Sequence, residues 1–113
     1  MKQKTIKKEI VFSGVGLHTG KTVSLTLKPA PVDSGIVFHL NGVSIPAQFC
    51  YAHCGQHYSL LQKGNMVVHT VEHLLSALYG ARISNCIAEL RGGNEVPFFD
   101  GSSHVFARAL MKT

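Results

Sequence analysis

The sequence predicts an α+β domain in two layers: a mostly antiparallel sheet with two helices packed on one of its faces. Three observations carry this. Polar and apolar residues alternate through "KTVSLTLK", with Val23, Leu25 and Leu27 on one side, which is the period of a half-buried strand. Asn41-Gly42 separates the apolar runs "IVFHL" and "VSIPAQF", and an Asn-Gly pair in that setting is a strong hairpin signal. Two later segments drop the two-residue period and repeat their apolar residues at helical spacing.

Taken in order, "TIKKEIVF" is a weaker strand that should pair with "KTVSLTLK" through the glycine-rich turn "SGVGLHTG". The Asn41-Gly42 hairpin follows, and Pro46 puts its second strand near a sheet edge. "YSLLQKGNMVVH" divides into two short extended pieces around Lys63-Gly64-Asn65, and "SNCIAEL" is a further strand ended by Gly92-Gly93. The first helix has Val71, Leu74, Leu75 and Leu78 at i, i+3, i+4 and i+7, with Thr70 placed as its N-cap and Gly80 near its end. The second has Val105, Phe106, Ala109 and Leu110 as its stripe, with Ser102 or Ser103 as cap.

With 113 residues, 45% hydrophobic content and no linker-like tract, the whole length, 1–113, reads as one domain able to bury a core without disulfide or metal support. Cys50, Cys54 and Cys86 are odd in number and read as thiols. No apolar run has signal-peptide or membrane-spanning length, so a cytoplasmic protein is expected. A formal charge of +5 suits any anionic partner, but no zinc-finger, helix-turn-helix or RNP-type pattern supports nucleic acid.

Chemistry concentrates in "HTVEHLLSAL", residues 69–78. "HTVEH" matches the H-x-x-E-H pattern of some zinc peptidases. With Thr70 as cap, however, His69 falls outside the helix and shares no face with His73. Glu72 and His73 remain in the first turn, where the positive end of the helix dipole favours a carboxylate and disfavours imidazolium; neutral imidazole is the metal-binding form. By spacing alone the pair reads first as a helix-completing acid and a half-buried polar residue, and something more is needed to make it a site. "GVGLHTGKT" misses both the dinucleotide and the Walker phosphate-loop patterns by one position, and a strand follows it where those loops need a helix. Cys50, His53, Cys54 and His57 form a second cluster of zinc-compatible types at helical spacing, without the longer intervening loop usual in structural sites.

Together, "SGVGLHTGKTVSLTLKPAPVDSGIVF", "TVEHLLSAL" and "NEVPFFDGSSHVF" resemble the UDP-3-O-acyl-N-acetylglucosamine deacetylases, zinc amidases of lipid A biosynthesis, from about Thr5 to Leu110. The resemblance implies two similar α+β domains with helices between their sheets, this chain matching the N-terminal one. It implies His73 as a Zn2+ ligand and Glu72 as general base. It places Leu17, His18 and Thr19 beside the site of an acylated UDP-sugar substrate, and gives "EVPFFDGS", with Asp100, a structural part. The remaining ligands, a histidine and an aspartate, would belong to a second domain expected to be absent from this chain. "FCYAHCGQHYSLL" departs from the Thr/Ser-rich segment at the family's site rim. The expectation is therefore an N-terminal half that is inactive alone, its partner a C-terminal domain or a second copy of the chain pairing His73 with residues such as His18. The alternative is a stand-alone, non-catalytic binding or regulatory module derived from that domain.

Overall fold

The computed structural model describes residues 3–16, 20–47, 52–54, 59–63, 66–97 and 104–111. Two hairpins and one inserted strand build the main sheet. Strands β1 (Ile10–Val15) and β2 (Thr22–Pro29) pair antiparallel, as do β3 (Ile36–Leu40) and β4 (Val43–Pro46). Between the hairpins runs β8 (Cys86–Arg91), antiparallel to β2 and parallel to β3, giving the order β1-β2-β8-β3-β4. Pro46 thus sits in an edge strand, where its missing N–H costs no ladder bond. Asn41 and Gly42 both have positive φ, 52° and 79°, which fits the twist of the flanking strands.

The expected start of the first strand at Thr5 is not observed; β1 begins at Ile10. Residues 3–5 are held otherwise. The Lys4 carbonyl accepts from the Ser84 and Asn85 amides at 2.8 and 3.1 Å, and the Thr5 hydroxyl accepts from the Ala30 amide at 3.1 Å. Tied to the loops where β2 ends and β8 begins, at one common end of the sheet, these residues have no need of a hairpin partner.

Register explains which face is covered. Phe12, Leu25 and Leu90 lie side by side across three strands, and Ile10, Leu27, Ala88, Phe38 and Ile45 form the next row. All of these except the partly buried Ile10 are buried. Their chain neighbours face the open side: Val11 is 65% exposed, Lys28 pairs with Glu89 at 3.4 Å, and Arg91 bonds Glu89 at 3.1 Å. Desolvation pushes the Glu89 carboxyl upward. The Lys28 hydrogen bond and the Arg91 and Lys28 charges outweigh it, so its pKa lies below the ordinary value.

Helices α1 (Glu72–Gly80) and α2 (His104–Met111) contribute Leu74, Ala77, Leu78, Phe106 and Leu110 to the same core as the inner sheet face. The Phe106 ring meets Phe12 edge to face at 4.9 Å. A second, three-stranded antiparallel sheet, β5 (Ala52–Cys54), β6 (Ser59–Lys63) and β7 (Met66–His69), was not foreseen as separate; it joins the core through Leu61 and Val68. Cys86 is a buried thiol whose pKa burial pushes up to about 11. Among the described residues no helix is long and apolar enough to cross a membrane.

Gly92, just beyond β8, has φ +90°, and a Cβ there would lie 2.8 Å from the Thr22 carbonyl oxygen. We expect Gly92→Ala to destabilise the fold by about 1–3 kcal/mol in urea denaturation, the usual cost of a strained backbone conformation. Gly80→Ala, with nothing within 4 Å of its new methyl and an ordinary helical backbone, should be neutral or slightly stabilising. Equal effects of the two would exclude the clash as the cause.

Candidate functional site at the start of helix α1

The polypeptide leaves β7 at His69, makes one residue of left-handed backbone at Thr70 (φ 62°), and enters α1 through Val71. Thr70 is therefore not the N-cap expected of it. Val71 occupies that position without a side-chain cap, and the Thr70 hydroxyl instead donates to the Glu95 carboxyl at 2.5 Å. The left-handed backbone at Thr70 departs from the extended conformation usual at an N-cap. His69 nevertheless lies outside the helix, because it ends strand β7.

Glu72 and His73 are the first two residues of α1. Their side chains are 38% and 29% exposed, and His73 Nε2 lies 3.9 Å from Glu72 Oε1. Beneath them Val71 and Leu74 are buried, 3% and 0% exposed, with Leu75 partly buried against the core. The inner half of the turn is thus anchored while the acid and the imidazole remain at the surface. A groove of about 600 Å³ opens nearby between Lys21, Met66, His69 and the Gly92–Asn94 turn, but neither Glu72 nor His73 lines it.

Leu17, His18 and Thr19 lie outside the described residues, as do Asp100, Ser102, Ser103, Cys50 and His57. His53 and Cys54 belong to strand β5, so these two members of that cluster do not lie on a helix. Among the described residues no three His, Cys, Asp or Glu side chains converge as a metal site. The residue that motif reading missed is Glu95, 1% exposed; its only sequence signal was an acid within the otherwise apolar and turn-forming "NEVPFF".

These features define a small α+β domain that presents an acid and an imidazole from a helix start on its surface. Comparison with known proteins makes that more specific. A family model described as LpxC, UDP-3-O-acyl N-acetylglycosamine deacetylase, matches residues 3–113. A UDP-3-O-acyl-N-acetylglucosamine deacetylase from Geobacter sp. (strain M21) is 43% identical across 97% of this chain and 37% of its own length. The corresponding protein of Teredinibacter turnerae is 46% identical across 94% and 36%. A bifunctional LpxC/FabZ enzyme of Chlorobaculum tepidum is 42% identical across 96% of this chain and 24% of its own length. The chain belongs to the LpxC family. It spans between about a quarter and two fifths of the length of these curated relatives.

Proposed function

We propose that this chain forms the first-domain half of a zinc-dependent deacetylase that removes the N-acetyl group of UDP-3-O-acyl-N-acetylglucosamine, in lipid A biosynthesis and in the cytoplasm. The observation that carries this reading is the Glu72–His73 pair, partly exposed on an anchored helix turn within a chain of this family.

The donor set fits one corner of a shared metal site. His73 offers an imidazole nitrogen at the surface, and no second and third donor join it among the described residues. A histidine and an aspartate from the part of the relatives' length not spanned here would complete the set. Zinc held there would supply a Lewis acid that polarises the acetamide carbonyl and acidifies water. Glu72 then has the role its position permits: a carboxylate beside the metal-binding imidazole accepts the proton of the attacking water and can return it to the departing amine. Leu17, His18 and Thr19 are proposed to border the bound substrate.

The test is made on the protein with its complete natural sequence. It should release acetate from the acylated UDP-sugar and lose that activity to a chelator. His73→Ala should weaken zinc binding by at least about a hundredfold, since changes outside the coordination shell already cost about ten- to a hundredfold. Unchanged zinc affinity in His73→Ala would remove this residue from the site. A biological role that survives His73→Ala and Glu72→Ala together would favour a non-catalytic module.

A further inference from the structure

We propose that Thr70 and Glu95 act as positioning residues, a buried clasp that fixes the backbone entering α1 and so aims Glu72 and His73. The inference rests on the functional reading of that pair. Its basis is what holds the helix start. Val71, the N-cap, makes no side-chain cap bond, and the first intrahelical bond with Val71 runs from the Leu75 amide at 3.0 Å. The direction of the turn is therefore set from outside the helix.

That external support is the segment 94–96. The His69 amide donates to the Asn94 carbonyl at 2.8 Å, the Val96 amide donates to the His69 carbonyl at 3.0 Å, and the Thr70 hydroxyl donates to Glu95 at 2.5 Å. Both clasp side chains are buried, Thr70 at 2% and Glu95 at 1% exposure. Two features disfavoured on their own coincide here: a carboxyl removed from water and a β-branched residue in left-handed backbone. Such combinations persist where surrounding structure over-determines them, and an apolar pair would fill the same space with less desolvation. Because Thr70 lies two and three residues before the site pair, a change in its φ or ψ rotates both side chains together.

Three variants in the complete protein separate this role from plain stability. Thr70→Val keeps the shape and removes the hydroxyl, Thr70→Gly makes the left-handed backbone easy and also removes it, and Thr70→Ser keeps it. We expect Val and Gly each to lower kcat by about ten- to a hundredfold with KM within about threefold, the scale of an ångström-sized misplacement. Amide exchange at Leu75 should quicken and the His73 ring signals should move, with exchange at Leu27 and Ala88 in the central strands unchanged. Thr70→Ser should restore all of these. Wild-type kcat and Leu75 protection in both Val and Gly variants would overturn the clasp, as would a Ser variant no better than Gly. If Glu72→Gln leaves turnover intact while Thr70→Val still loosens Leu75, the functional reading has failed and the clasp is structural only.

Discussion

Replacing Glu72 by glutamine is expected to lower kcat for deacetylation by about 10²- to 10⁴-fold in the complete protein, the range general-base catalysis contributes. Glutamine keeps the length and polarity of the side chain, so the anchored turn over Val71 and Leu74 is not disturbed. What it lacks is a lone pair basic enough to take a proton. Bound zinc and KM should therefore stay within a few-fold of wild type, because His73 and the substrate contacts remain. The measurement is steady-state kinetics with metal content determined on the same sample. A kcat within about threefold of wild type would sink the assignment, since a base contributing so little is outside the general-base range.

Phe106→Ala should be the most destabilising single truncation in α2, by about 3–5 kcal/mol. The ring is fully buried and meets Phe12 at 4.9 Å with planes 72° apart, an edge-to-face pair that adds about 0.5–1.5 kcal/mol beyond its buried area. It also ties α2 to β1, the edge strand of the main sheet. Val11→Ala is the matched control. Val11 neighbours Phe12 but faces outward at 65% exposure, and its truncation should change stability by less than about 0.5 kcal/mol. Urea midpoints of the two variants measure the contrast, and a Phe106→Ala loss below about 1 kcal/mol would mean that α2 is not held through this contact.

Residue types and local spacing singled out Glu72 and His73 as candidates only, because an acid and an imidazole at a helix start stand out against the leucines that follow. The resemblance carried by "TVEHLLSAL" then implied the role proposed for each. Spacing could not say how the turn is held. Thr70 had the chemistry of a cap and the position of one, yet its hydroxyl serves Glu95, 25 residues further on. That partner lies in a segment whose own pattern announces only a turn.

The same division runs through the fold. Strand and helix periods, the Asn41-Gly42 turn and the edge position of Pro46 were determined by the sequence alone, because each follows from backbone geometry over a few neighbouring residues. Tertiary structure decided that β8 lies between β2 and β3, that β5, β6 and β7 form their own sheet, and that the first strand begins at Ile10 rather than Thr5. It also decided that Glu72 and His73 remain at the surface while Val71 and Leu74 turn inward. Such outcomes depend on partners tens of residues apart, whose pairing is fixed by shared burial and completed hydrogen bonds rather than by any local repeat.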